Sequence, residues 1–275
     1  MAASDYQTVK IERDSGVTFL YFNRPEKRNA MSPQLCAEMV AALSELEVDD
    51  RTDVLVLTGA GEAFSAGMDL REYFRGLDND PAGRLKASWD ARLFHYYKLR
   101  QFPKPTIAMV NGWCFGGAFS PLTSCDFAIA AEDAVFGLSE VNWGIVPGGF
   151  VSRDVVLTLR YRDALWYALT GEPFDGKRAA EIGLINLAVP REQLRDTVMA
   201  LARKLQAISP AVLRATKEAI RNCMGLSYDQ AWDYLAAKND QLRLRDPERS
   251  RDRGIQQFID EKVYRPGLGP QPRAR

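Results

Sequence analysis

Apolar and polar positions change their period about two-thirds of the way along the chain. In the first part, Val17-Thr18-Phe19-Leu20-Tyr21-Phe22 is a β-branched and aromatic run after the turn Asp14-Ser15-Gly16, which predicts a strand. Ser32-Pro33 reads as an N-cap followed by proline at the first helical position, and Leu35, Met39, Leu43 and Leu46 then recur at helical spacing. Val54-Leu55-Val56-Leu57 is continuously apolar, as a strand buried on both faces requires, and Thr106 to Val110 and Phe127 to Ala131 repeat the type. Strand, helix, strand and glycine turn in succession predict an α/β core. From about Arg160 helical spacing takes over. Leu194, Val198, Leu201 and Leu205 mark one amphipathic helix, and Leu213, Thr216, Ile220 and Cys223 the next, with Ser209-Pro210 between them. Further helices are predicted from Tyr228 to about Leu244 and from Glu248 to Lys262, followed by an irregular Pro/Gly-rich tail.

Composition narrows the class. The 275 residues suffice for one large domain or a domain plus an appendage, and 46% hydrophobic with 26% charged residues excludes a disordered or fibrous chain. Thirty-six basic residues balance thirty-six acidic ones, so the positive face of a dedicated nucleic-acid binder is not expected. The mixed-sign segment Arg243 to Arg253 reads as a solvated helical face. The four cysteines form no C-x-x-C pair, and the single histidine, His95, excludes a multi-histidine metal site. Pro105 to Cys125 is twenty-one residues without a charge, but two prolines and three glycines fit a strand, a loop and a buried helix better than a membrane span. The N-terminal residues have no apolar signal-peptide core. The expectation is a soluble, cytoplasmic protein.

Candidate chemistry then separates from decoys. Gly171-Glu-Pro-Phe-Asp-Gly176-Lys177-Arg178 fits G-x-x-x-x-G-K but ends in Arg, carries two acids and follows a helical stretch, so a helix C-terminal turn is the better reading. His95, among aromatic and basic residues on a predicted helix, reads as a packed structural histidine, with no G-x-S-x-G elbow beside it. Two glycine turns carry more. Ser65-Ala66-Gly67-Met68-Asp69 and Asn111-Gly112-Trp113-Cys114-Phe115-Gly116-Gly117 each follow a predicted strand, and each lets backbone N–H groups approach a ligand. Converging, two such donors bind a developing oxyanion. Glu140 is the only charge between Asp133 and Arg153, so its carboxyl is expected to be desolvated, with a pKa raised towards neutrality.

These segments, in this order, resemble the crotonase (enoyl-CoA hydratase/isomerase) superfamily, from Asn23-Arg24-Pro25-Glu26-Lys27-Arg28-Asn29-Ala30 to Gly183-Leu184-Ile185-Asn186 and the C-terminal helices. The resemblance implies an α/β (α+β) fold, a spiral of ββα units over residues 1–190 followed by a helical trimerisation region over 191–275. It implies an oxyanion hole from the N–H groups of Met68 and Gly117. Coenzyme A, a part of the substrate rather than a cofactor, would lie along Lys27, Arg28, Ala30, Ala66, Met68, Asp69, Leu70, Ser139 and Trp143. Phe258 and Lys262 of a neighbouring copy would complete that site, in a homotrimer or a dimer of trimers. The implied partner is an acyl-CoA thioester, with no nucleic acid, membrane or metal.

A finer resemblance follows from one position. Two-glutamate hydratases of the family carry a glutamate three residues after the second glycine of the pair, where this chain has Ser120, while Glu140 matches the second glutamate. GAGEAFSAGMDLREYF, KPTIAMVNGWCFGGAFSPL and FGLSEVNWGI are similar to members that hydrate feruloyl-CoA and other 4-hydroxycinnamoyl-CoA thioesters and cleave the product to an aromatic aldehyde, vanillin from feruloyl-CoA, and acetyl-CoA. The resemblance assigns catalysis to Glu140, orientation of the water or hydroxyl to Ser120, and contact with the substrate phenol to Tyr73. Those members have a second tyrosine in a D-Y-L-Y-A-K pattern, where this chain reads Asp233-Tyr234-Leu235-Ala236-Ala237-Lys238. Tyr234 is the neighbouring candidate, about 200° round a helix from the expected position. A plain hydratase or isomerase on another acyl-CoA, and a non-catalytic acyl-CoA- or RNA-binding member, stand as the alternatives.

Overall fold

In the computed structural model, which describes residues 6–263, Val9–Asp14 (β1) and Val17–Phe22 (β2) form an antiparallel hairpin. Ser15 and Gly16 turn it with φ of 51° and 83°, the left-handed pair that a two-residue hairpin loop needs. The tail expected to be irregular lies outside the described residues. The described chain divides into two units, residues 6–102 with 106–199, and residues 103–105 with 200–263.

The first unit holds two sheets. After β2 the strands run Val54–Gly59 (β3), Ala63–Ser65 (β4), Thr106–Val110 (β5), Trp113–Phe115 (β6), Phe127–Ala131 (β7), Val135–Gly137 (β8), Phe174–Asp175 (β9) and Leu187–Val189 (β10). One sheet has the order β1-β2-β3-β5-β7-β10, the other β4-β6-β8-β9. Three times a long strand of the first sheet passes through a tight turn into a short strand of the second, β3 to β4, β5 to β6 and β7 to β8, before helical segments return the chain. All the pairings among β2, β3, β5, β7 and β10 are parallel, as helical crossovers demand. This repetition is the ββα spiral.

Sequence chemistry accounts for the elements. Every residue of β3 and β5 is buried, which is why these strands have no polar alternation. Ser32 caps Pro33–Glu47 (α1) by accepting the Leu35 N–H, and Leu35, Met39, Leu43 and Leu46 are buried. Phe22 packs edge-on against Phe64 and Phe94 at 5.4 and 6.1 Å, which ties the first sheet to β4 and to the segment Leu93–Arg100. Gly112 is required by contact. A Cβ there would lie 1.9 Å from the Glu62 carbonyl oxygen. Gly171 ends Tyr161–Thr170 in a left-handed conformation, so the phosphate-loop lookalike is a helix C-terminal turn.

One buried side chain pins the loops that build the site. Asn29 is fully buried with φ 57°; its Oδ1 accepts the Arg24 N–H at 2.9 Å, and its Nδ2 donates to Ala60 O at 2.9 Å and Ala63 O at 2.7 Å. The segment Asn23–Ala30 is thereby fixed against the entry to β4.

The second unit is helical, with Pro210–Cys223, Tyr228–Arg245 and Ser250–Ile259 following Leu194–Gln206, a helix that crosses from the first unit. The last of these helices is shorter than the expected span to Lys262, which has φ 55° and cannot continue a helix. Ser227 and Gln230 form a reciprocal capping box at Tyr228–Arg245. Among the described residues no helix is long and apolar enough to cross a membrane.

Candidate active site

Two backbone turns meet without room for a side chain between them. Gly67 has φ 87°, and a Cβ on it would stand 2.5 Å from Phe115 O and 3.1 Å from Gly117 N. A Cβ on Gly117 would lie 2.8 Å from the Met68 Cγ and 3.3 Å from the Met68 nitrogen. Met31 bridges to this loop, its N–H donating to Gly67 O and its carbonyl accepting from Asp69 N–H, which leaves the Met68 N–H out of the ladder. The Ser65 hydroxyl donates to Asn29 O and accepts the Gly67 N–H, holding the turn's entry. The amides of Met68 and Gly117 are thus neighbours across a gap that only glycine keeps open.

The loop's exit is held by charge. Asp69 accepts the N–H groups of Arg71 and Glu72, capping a short π-helical segment, Leu70–Phe74. Arg24, nearly buried, ion-pairs with Asp69 at 3.0 Å and Glu72 at 2.6 Å and donates to Ala30 O. Burial alone would raise the Asp69 carboxyl, but hydrogen bonds from Glu72 N–H, Arg24 and Arg71 N–H bring it below its ordinary value. Asp69 therefore acts as a structural anion in this geometry. The segment it caps carries Tyr73, whose phenol is raised by burial and neighbours Ser88.

Glu140 heads a short turn, Glu140–Trp143, just after β8. Its Oε1 lies 3.4 Å from the point a Cβ of Gly116 would occupy, so the carboxyl abuts the glycine pair. Its Oε2 is buried and has no hydrogen-bond partner among the described residues. Burial raises its pKa above the ordinary 4.5, the direction its isolation in the sequence implies. Ser120, in the helix Phe119–Ser124 that the glycine pair leads into, is 2% exposed.

These groups share one cavity of about 1170 Å³, whose walls all come from residues 27–150. Met68, Gly117, Ser120, Glu140 and Tyr73 line it, as do Lys27, Arg28, Ala30, Ala66, Asp69, Leu70, Ser139 and Trp143. Tyr234, Phe258 and Lys262 belong to the second unit and are not among the walls. The Tyr234 hydroxyl accepts from Asn222 at 2.8 Å and points towards Glu218 O at 3.5 Å. Trp113, Ser88, Arg92 and Phe150, which the sequence pattern does not single out, also line the cavity, as does His95, which that pattern reads as a packed structural histidine. Trp113 offers a late signal, since it is 40% exposed, stacks on Phe115 and carries the Arg28 guanidinium over its ring at 4.8 Å.

The family model for enoyl-CoA hydratase/isomerase matches residues 12–264. The chain belongs to the enoyl-CoA hydratase/isomerase family. Within it, the chain is 52% identical over 264 residues to the hydroxycinnamoyl-CoA hydratase-lyase of Pseudomonas fluorescens, covering 96% of each. It is 30% identical over 253 residues to the 2,3-dehydroadipyl-CoA hydratase of Escherichia coli, covering 92% of this chain and 96% of that one. Among solved structures, an enoyl-CoA hydratase subunit from Geobacillus kaustophilus superposes with a TM-score of 0.85 at 28% identity over 99% of both chains. An enoyl-CoA hydratase from Bacillus anthracis gives 0.84, also at 28% identity, over 98% of this chain and all of the other. The chain is a catalytic member of this family by these matches, and the paired glycine turns with Glu140 are the chemical features the cavity offers it.

Gly117→Ala tests the gap. The added methyl pushes on Met68 and misaligns the two amides, so kcat for thioester turnover is expected to fall by about 100-fold. Far-UV circular dichroism should stay that of the parent protein; turnover within a factor of a few of the parent would remove these amides from the chemistry.

Proposed function

We propose that this enzyme hydrates 4-hydroxycinnamoyl-CoA thioesters such as feruloyl-CoA and cleaves the resulting β-hydroxy thioester to an aromatic aldehyde, vanillin for feruloyl-CoA, and acetyl-CoA. The single observation that carries the reading is the desolvated, unpartnered carboxyl of Glu140 beside the Gly67/Gly117 approach, with a serine rather than a second carboxylate at residue 120. The likeness to the Pseudomonas fluorescens hydratase-lyase over nearly the whole chain supports the same substrate class.

The chemistry needs a base and an enolate acceptor. In the first step ionised Glu140 takes a proton from a water oriented by Ser120, and the oxygen adds to the β-carbon. The electron pair of the double bond moves into the thioester, where the N–H groups of Met68 and Gly117 hold the enolate oxygen until the α-carbon takes that proton back from Glu140, which is left ionised again. In the second step Glu140 takes the proton of the β-hydroxyl. The C–O bond becomes a carbonyl, the bond between the α- and β-carbons breaks, and its electron pair forms the enolate of acetyl-CoA in the same amide cradle. Glu140 returns this proton to the enolate carbon, which completes acetyl-CoA and restores the carboxylate, and one water is consumed overall. Tyr73 would lie beside the phenol, whose para donation stabilises the aldehyde carbonyl that forms at the β-carbon in the second step. Coenzyme A would run along Lys27, Arg28 and the Ala66–Leu70 loop, past Ser139 and Trp143.

The same reading includes assembly into a homotrimer or a dimer of trimers, in the cytoplasm where acyl-CoA thioesters are made. Large apolar side chains exposed on this chain, among them Leu157, Tyr161, Trp166 and Leu169, support a covered surface in the assembly. Phe258 and Lys262 would then reach the coenzyme A of a neighbouring copy.

Three measurements test the proposal. Incubation with feruloyl-CoA should yield vanillin and acetyl-CoA in equal amounts, and hydration of crotonyl-CoA without any aldehyde would make the enzyme a plain hydratase. In the pH profile of kcat/KM, the acidic limb reports Glu140. Because burial raises its pKa, the base is lost as pH falls through a value above 4.5, so the limb should lie above that of an exposed glutamate. Sedimentation should give at least three times the 30.8 kDa chain mass; an active monomer would contradict the assembly.

A further inference from the structure

The face of the helical stretch Pro81–Arg100 that lines the cavity carries Ser88, Ala91, Arg92 and His95, one helical turn after another. Tyr73, Phe74 and Phe150 line the same cavity. Tyr73 neighbours Ser88, and Phe150 stacks on Tyr96 at 5.2 Å, so this wall adjoins both the Leu70–Phe74 segment and Phe150. Small Ser88 and Ala91 leave space there, and the aromatic rings supply flat apolar walls. The slot suits an aryl group.

His95 is the polar group in this wall that the fold leaves unused. It is 5% exposed, and its Nε2 is buried with no hydrogen-bond partner among the described residues. Arg92, by contrast, lies over the rings of Trp89 and Tyr97 at 5.5 and 5.7 Å. The imidazole packs against Phe94 with ring centroids 4.5 Å apart. Burial pulls its pKa down to about 3, so it is neutral at working pH and offers one N–H and one lone pair. A buried acceptor left unpaired costs free energy that a partner would recover. A merely structural histidine would be expected to find a partner within the fold, as Asn29 and Ser65 do. His95 also sits in a π-helical segment, Leu93–Arg100, a winding that recurs at functional sites because it re-aims side chains.

We propose that His95 Nε2 accepts the hydrogen bond of the substrate's 4-hydroxyl group, after a small turn of the imidazole towards the entering ring, which makes His95 a specificity-determining residue for the aryl end. This rests on the hydroxycinnamoyl reading above. The ring proton then resides on Nδ1, and Nε2 gains the partner the empty protein denies it. An acceptor at that oxygen also strengthens the phenol's para donation towards the β-carbon. A substrate lacking the hydroxyl leaves Nε2 unpaired, and the slot rejects it for that reason.

The chain has one histidine, so selective ¹⁵N labelling gives a single imidazole to observe in the intact enzyme. Two unreactive ligands with saturated side chains serve as probes, dihydro-4-coumaroyl-CoA and dihydrocinnamoyl-CoA. The lone-pair nitrogen resonance of His95 should move upfield with the first and not with the second. An equal response to both, or none to either when both bind, overturns the inference without needing a variant. In parallel, the ratio of kcat/KM for 4-coumaroyl-CoA over cinnamoyl-CoA should fall at least about tenfold in His95→Leu and recover in part in His95→Gln. A loss shared equally by the two substrates would make His95 structural. If the unsubstituted enzyme forms no aldehyde from 4-coumaroyl-CoA, the functional reading fails and this inference falls with it; aldehyde formation with a hydroxyl-indifferent imidazole removes His95 alone.

Discussion

The active cavity depends on one steric constraint, the approach of two backbone turns too close for a side chain on either. A Cβ on Gly67 would press on Phe115 O and Gly117 N, and one on Gly117 would press on Met68. Everything around the pair serves to hold it. The spiral delivers β4 and β6 side by side, so the turns that follow them emerge at the same level. Asn29 and Ser65 stitch the first turn to the Asn23–Ala30 segment, and Arg24 with Asp69 fixes its exit. In the mechanism proposed, these amides are held in place by the fold and need no rearrangement when charge develops on a thioester oxygen.

The second requirement is a carboxyl kept in poor solvent. Glu140 has no ion-pair partner in the structure described, whereas Asp69, also buried in part, is stabilised as an anion by Arg24 and two amides. Two carboxylates along one cavity thus have opposite characters, set by their neighbours. The anchored one shapes the loop and the desolvated one is suited to moving protons. With Ser120 in place of a second acid, hydration and carbon–carbon cleavage both draw on Glu140 in the mechanism proposed.

Much of this was legible from residue order alone. The long strands show as unbroken apolar runs because both faces are covered, and Ser32-Pro33 with its spaced leucines announces α1. Glu140 stands out because no other charge lies within its segment. The strands of two or three residues, β4, β6 and β8 to β10, are too short to display a period, and only their pairing defines them. The cavity face of Ser88 to His95 was hidden for another reason. Its residues keep helical spacing, but a serine, an alanine, an arginine and a histidine do not make the apolar stripe by which a helix face is read. The role of Arg24 is likewise not legible in the sequence, since its two carboxylate partners lie 45 and 48 residues away.

The central claim is that one carboxylate serves both bond-making and bond-breaking in one cavity. The most direct test supplies the synthetic β-hydroxy thioester, the hydrated form of feruloyl-CoA, to Glu140→Gln and to the parent enzyme. Release of vanillin and loss of water to feruloyl-CoA are followed together. The account predicts that the parent forms both products and that the variant, still binding coenzyme A, forms neither at more than a small fraction of the parent rate. A variant that still releases vanillin while dehydration is lost would assign cleavage to another base and contradict the account.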